Sequence, residues 1–218
     1  MSDECFGQSK VGATTTAQLV WILAPRLPEP EGVARIRPGR DYPSPMREIL
    51  TTERLLLRPL EPDDRDALFE VLGDPVAMRY YPAPFDRDRV AAWIEGARRS
   101  YRDNGFGSWA VIRRSDGRFL GDCGPMLQTV EDQVVPEVGY HIVPAEQGRG
   151  YATEAASACV AWVFANTSFD IVCSLVVPEN APSRAVAAKV HGSMREFTWA
   201  KHDRTMCLYW TERLRSSV

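Results

Sequence analysis

The chain has 218 residues, 44% of them hydrophobic, enough to bury one sizeable core, and its 26 basic and 29 acidic side chains leave a formal charge of −3. That balance argues against a dedicated nucleic-acid surface, and no stretch reaches the roughly 18 consecutive apolar residues that a membrane-spanning helix needs. Cys5, Cys123, Cys159, Cys173 and Cys207 show no C-x-x-C spacing and mostly sit in apolar runs, while His141, His191 and His202 are too scattered for a metal triad, so we expect small core residues and no metal.

Residues 1–45 carry Pro25, Pro28, Pro30, Pro38, Pro43 and Pro45 with Gly32 and Gly39 among them, which reads as a flexible tail. The domain pattern then runs over residues 46–218, with its core at 53–214. An apolar run at 17–24 follows Asp3 and Glu4 and lacks a small-x-small cleavage pattern, so no signal peptide is expected and the cytoplasm is the default compartment. Residues 54–60 read as a strand and 62–72 as a helix with Asp63 and Asp64 in its first turn. Asp86 is placed to cap a second helix whose Val90, Trp93, Ile94, Ala97 and Tyr101 share one stripe. Residues 108–113 and 119–129 read as strands joined by the turn Ser115-Asp116-Gly117, and 134–143 as the next strand, where Gly139 marks a bulge or a close backbone approach.

After that strand comes Gln147-Gly148-Arg149-Gly150-Tyr151-Ala152-Thr153-Glu154. Two glycines between a strand and a helix let backbone N–H groups approach a ligand, and the first helical turn adds unpaired donors and the positive end of its dipole. This is an anion site suited to a phosphate-bearing guest; two glycines by themselves more often make an unliganded turn, and the strand and helix on either side favour the site. Ala152, Ala155, Ala156, Cys159, Val160 and Val163 form one apolar stripe on the helix that follows, and residues 170–177 read as a strand buried on both faces. A short helix from Ala181 to about His191 precedes a last strand pair, 195–201 and 205–214, around His202-Asp203-Arg204. Tyr140 and Trp162 read as core aromatics. The predicted order is β-α-α-β-β-β-α-β-α-β-β, a single α/β domain built on a mixed sheet.

Three stretches in this order, Glu137-Val-Gly-Tyr-His-Ile-Val-Pro144, Gln147 to Ala152, and Asn180-Ala-Pro-Ser183 with Lys189, resemble the core of the GNAT superfamily of N-acetyltransferases, in the branch of the ribosomal-protein alanine N-acetyltransferases. The glycine signature [QR]-x-x-G-x-[GA] falls on Gln147, Gly150 and Ala152, with Gly148 as an extra glycine, and the element order is that of the GNAT fold. The resemblance implies acetyl-coenzyme A as cosubstrate and direct transfer, in a ternary complex, to a primary amine on a small molecule or a peptide such as a protein N-terminus. It leaves monomer or homodimer open. The implied contacts are the backbones of Ile142 and Val143 along the pantetheine, the N–H groups of Gly148, Arg149, Gly150, Tyr151, Ala152 and Thr153 on the pyrophosphate, and Asn180 on the pantetheine arm. Glu137 becomes the general base and Ser183 the proton donor to the leaving thiolate.

Each of these residues also has a plainer reading. Asn180 can simply cap the following helix, Arg149 and Lys189 can be solvated charges, Glu137 can face solvent or pair with an arginine, and Ser183 can bond local backbone. Ala187 stands where many members of the superfamily carry a tyrosine acid, and Lys189-Val-His-Gly-Ser193 replaces their usual helix exit. A dinucleotide enzyme fails on context, because Thr153 replaces the third glycine and Asp170 precedes its strand. A coenzyme A-binding module without catalysis is the other alternative, and the retained Glu137 and Ser183 favour an enzyme. The acceptor walls are expected at residues 78–85 and 202–204. A chain starting at Met46 should fold and bind acetyl-coenzyme A as the full chain does, and a large loss of melting temperature would show that the tail packs on the domain.

Overall fold

The computed structural model describes residues 48–199 and 203–214. The expected tail, Cys5, Met46 and His202 lie outside them. The elements are β1 (Leu50–Thr51), β2 (Leu55–Pro59), α1 (Arg65–Leu72), α2 (Arg87–Asn104), β3 (Trp109–Arg113), β4 (Phe119–Val130), β5 (Gln133–Ile142), α3 (Tyr151–Asn166), β6 (Ile171–Val176), α4 (Ala181–Val190), β7 (Ser193–Trp199) and β8 (Arg204–Glu212). They build one mixed sheet in the order β1-β2-β3-β4-β5-β6-β8-β7, with every neighbouring pair antiparallel except β5 and β6. Among the described residues no helix is long and apolar enough to cross a membrane.

The expected element order is present, with the two-residue β1 added at the sheet edge. The helix expected at 62–72 is divided into a 3-10 turn, Pro62–Asp64, and α1. The cause is Asp64, which Arg58 on β2 grips with two nitrogens at 2.7 Å and which also accepts from the Glu61 N–H at 2.8 Å. Asp86 caps α2 by accepting from the Arg89 N–H at 2.8 Å, and the stripe from Val90 to Tyr101 is buried. Gly139 lies in unbroken register opposite Gly124, so of its two expected readings, bulge or close approach, the β4–β5 ladder shows no bulge; a register shift falls between Val111 and Ile112 on β3. Beside it Gly121 has φ +148, and a Cβ at Gly121 would lie 1.9 Å from the His141 carbonyl oxygen.

Strand alternation sends adjacent side chains to opposite faces. Asp122 on β4 meets Trp93 of α2, whereas Cys123 meets Cys159 of α3 with sulfurs 3.7 Å apart, so α1 and α2 cover one face and α3 covers the other. Leu55, Leu57, Val111, Leu120, Ala155 and Cys159 are fully buried in this core. On the α3 face Trp109 and Trp162 pack edge to face with centroids 5.0 Å apart.

Candidate functional site

The parallel neighbours β5 and β6 share a single register pair, Glu137 with Cys173. Beyond it the ladder shows no further pair, which leaves a gap in the pairing that side chains bridge: Ser174 Oγ donates to the Val138 carbonyl at 2.7 Å. Backbone groups alternate in direction along a strand. Val143 turns toward β4, donating its N–H to Leu120 at 2.8 Å while its carbonyl accepts from the Glu146 N–H at 2.9 Å. Val138, Tyr140 and Ile142 therefore direct their backbones into the gap. Of the two residues singled out in the sequence, Ile142 borders the gap with its backbone, and Val143 has both backbone groups engaged elsewhere.

The glycine loop leads from the end of β5 into α3. Gly148 and Gly150 have φ of +75 and +84, a left-handed backbone that favours glycine, and Gly150 is the N-terminal cap residue of α3. The N–H groups of Tyr151, Ala152 and Thr153 fall in the first helical turn, where the helix itself offers no acceptor. Gln147 closes the loop onto β5, its side-chain amide donating to the Ile142 carbonyl at 2.8 Å. Arg54 buttresses the loop from β2's leading edge: its guanidinium donates to Glu154 at 2.6 Å and to the Arg149 carbonyl at 3.0 Å, and lies 4.6 Å from the centroid of the buried Tyr151 ring. Arg149 is exposed and paired with Glu146 at 3.2 Å, and the same buried carboxylate also takes Arg113 at 2.9 Å and Arg118 at 2.7 Å.

On the opposite side of the gap Asn180 caps α4, its side-chain oxygen accepting from the Ser183 N–H at 3.1 Å. The Ser183 carbonyl accepts from the Tyr140 hydroxyl at 2.9 Å, which ties α4 to β5 on the α3 face. Lys189 is exposed.

Glu137, Gly139 and His141 alternate onto the α1–α2 face. Glu137 is 4% exposed and among the described residues pairs with no arginine; its carboxylate accepts from Gln128 at 3.3 Å and from the Leu175 N–H. The solvent-facing and arginine-paired readings of this residue therefore fall. Burial pushes its pKa up to about 7, against the opposing pull of Gln128, the Leu175 N–H and His141. His191, at the end of α4, is pushed down by burial to about 4; it meets Ser174 at 3.1 Å and Thr211 at 2.9 Å.

These two shifts act on stability in opposite directions. Glu137 keeps its proton in the folded state up to about pH 7 while the unfolded chain releases it near 4.5, so stability falls as pH rises between those values. The unfolded chain protonates His191 near 6.5 and the folded one only near 4, so stability falls as pH drops through that window. Glu137→Gln should therefore steepen the loss of stability from pH 6.5 to 4.5 relative to the wild type, and His191→Asn should flatten it, each by roughly 2 kcal/mol. Urea unfolding across that range reads the slopes, and unchanged slopes would mean that both groups titrate as they do in the unfolded chain.

The sequence did not single out a further cluster on the α1–α2 face. Asp122 accepts from Trp93 Nε1 at 3.0 Å and Ser108 Oγ at 2.6 Å, and its other oxygen lies 2.9 Å from His141 Nδ1. His141 Nε2 lies 2.7 Å from the Tyr81 hydroxyl. Tyr81 lies in the acceptor wall expected at residues 78–85 and period-two spacing from Glu137 would have picked out His141, but no local pattern joins the two or reaches Asp122. Tyr81 also lines an open cleft of about 390 Å³ with Arg79, Tyr80, Pro82, Glu179 and Arg204, which brings the two expected acceptor walls together and adds Glu179. Among the described residues no group of three or more His, Cys, Asp or Glu side chains could hold a metal ion.

A family profile described as "Acetyltransferase (GNAT) domain" matches residues 54–193. The protein YkkB of Bacillus subtilis (strain 168) is 36% identical over 155 residues, covering 70% of this chain and 90% of its own. An acetyltransferase from Agrobacterium tumefaciens str. C58 superposes with a TM-score of 0.65 at 24% identity, covering 80% of this chain and 100% of its own. A ribosomal L7/L12 alpha-N-protein acetyltransferase solved in complex with coenzyme A superposes with a TM-score of 0.58 at 14% identity over 76% of this chain and 98% of its own. A strand gap, a glycine loop and a capped helix in this order, together with these matches over most of the chain, place it plainly: the chain belongs to the GNAT acetyltransferase family and is an acyltransferase.

Proposed function

We propose that the chain transfers the acetyl group of acetyl-coenzyme A directly to a primary amine within a ternary complex. The observation that carries this reading is the buried Glu137 carboxylate at the root of the β5–β6 gap, with a pKa raised to about 7. A carboxylate poised near neutrality can accept a proton from an incoming ammonium, which a solvated glutamate near 4.5 does far less well.

In this reading the N–H groups of Gly148, Arg149, Gly150, Tyr151, Ala152 and Thr153 receive the pyrophosphate, with Gln147 fixing the loop to β5 and Arg149 adding charge at its rim. The pantetheine lies along β5 against Ile142, beside Val143 and Tyr140, and a backbone N–H in the gap points at the thioester oxygen, where negative charge develops. Asn180 presents the first turn of α4 to the pantetheine arm while capping it. Glu137 faces the acceptor from the α1–α2 face, and Ser183, on the other face, protonates the departing thiolate.

Thiol release from acetyl-coenzyme A in the presence of mixed amines tests the reading. Amine-dependent release with stoichiometric N-acetylated product is expected, and tight binding of acetyl-coenzyme A with no release would make the chain a binding module. Ser183→Ala should lower kcat most for poor thiol leaving groups and leave coenzyme A affinity intact, because a donor to the thiolate acts only as the carbon–sulfur bond breaks. Equal rates for good and poor leaving groups in that variant would assign the proton to water.

A further inference from the structure

We infer that Tyr81, backed by His141 and Asp122, is a second proton-accepting group on the acceptor side of the site. This rests on the acetyl-transfer reading and adds Tyr81 and Asp122, which lie outside the motifs that led to it, and a role for His141 within one of them. Asp122 Oδ2 is occupied by two donors, Trp93 and Ser108, and its Oδ1 takes the proton of His141 Nδ1. That arrangement leaves Nε2 as the acceptor of the ring, facing the Tyr81 hydroxyl at 2.7 Å. Tyr81 thus donates inward to His141, which leaves the lone pairs of its oxygen unused by that bond, and the residue lines the cleft with Arg79, Glu179 and Arg204.

The surroundings hold this chain of groups in place. The His141 ring is flanked by Trp93 at 5.9 Å and Tyr81 at 5.6 Å, and Tyr81 packs edge-on against Phe85 at 6.4 Å. Burial and the charges of Glu137 and Asp122 hold the Tyr81 phenol well above its ordinary pKa, so it does not serve as a standing phenolate. It can take a proton only by passing its own to His141.

The chemistry requires two acceptors. Between ammonium and amide the acceptor nitrogen sheds two protons. Glu137 takes the first, before attack. The second leaves after the nitrogen–carbon bond forms: it bonds to the Tyr81 oxygen as the Tyr81 proton bonds to His141 Nε2, and the imidazolium rests against the Asp122 carboxylate. Ser183 gives its hydroxyl proton to the sulfur as the carbon–sulfur bond breaks and regains one from solvent, Glu137 and His141 return theirs to solvent, and the net yield is amide, thiol and one proton.

The test uses the full chain, acetyl-coenzyme A and, as acceptor, whichever of alaninamide, spermidine and benzylamine is turned over fastest. Tyr81→Phe keeps the ring and should lower kcat/KM for the amine by roughly tenfold or more, with the melting temperature and the KM for acetyl-coenzyme A unchanged. His141→Asn should cost a similar factor, and the double variant no more than the worse single one, because the two groups act as a unit. A wild-type kcat/KM for Tyr81→Phe, or full additivity of the two losses, overturns the inference while acetyl transfer stands. No turnover of any of the three amines by the wild type would count against the acetyl-transfer reading and the inference with it.

Discussion

Glu137→Gln should lower kcat/KM for acetyl transfer by roughly a hundredfold or more, with coenzyme A affinity unchanged, because the amide is nearly isosteric but cannot take a proton. The rate should also lose its acidic limb. On the proposed mechanism that limb belongs to a carboxylic acid held protonated until about pH 7 by burial, so activity should rise as pH passes through that value. Gln128 and the Leu175 N–H already bond the side chain, so the substituted amide has neighbours to hold it and the fold should persist. The measurement is a pH–rate profile of both proteins with one amine. A near-normal rate with the limb intact would leave catalysis to positioning and the oxyanion contact, with water carrying the proton.

Gly150→Val should abolish coenzyme A binding in a protein that still folds. At φ +84 a β-branched residue is strained, a cost on the order of 1–3 kcal/mol that a domain of this size survives. The Cβ would also sit 3.3 Å from Arg54 Nη2, whose guanidinium supports the Arg149 carbonyl and Glu154. Both effects displace the N–H groups at the start of α3. Calorimetry with coenzyme A decides it, and undiminished affinity in the folded variant would remove the phosphate cradle from the proposal.

The helical stripes, the Asp86 cap, the turn at Asp116-Gly117 and the glycine loop were legible in the sequence because each is a local pattern whose residues meet one another. What was not legible depends on partners far along the chain. The turn joining β4 to β5 is Glu131-Asp132, both at positive φ, where short hairpins usually carry Asn or Gly; the unbroken ladder from Val130–Gln133 to Gly121–Ile142 imposes it, and Arg195 on β7 holds Glu131. Asp64 looks like a helix-dipole residue until Arg58 is placed beside it. The engagement of Val143 with Leu120 depends on which way one residue of β5 faces, and strand periodicity gives the alternation but not its phase relative to the gap. The Tyr81–His141–Asp122 chain joins a loop, β5 and β4, three segments with no common sequence pattern.

The side chains at the β5–β6 gap divide between the two faces of the sheet. Glu137 and the Tyr81 cluster stand on one, and Ser183 and the glycine loop's helix stand on the other. If acetyl-coenzyme A and the amine bind as proposed, the sheet is a partition at this point and the two substrates reach the gap from opposite faces. On that proposal neither substrate would have to wait for the other to leave, and even a bulky acceptor would dock without crossing the path of the nucleotide.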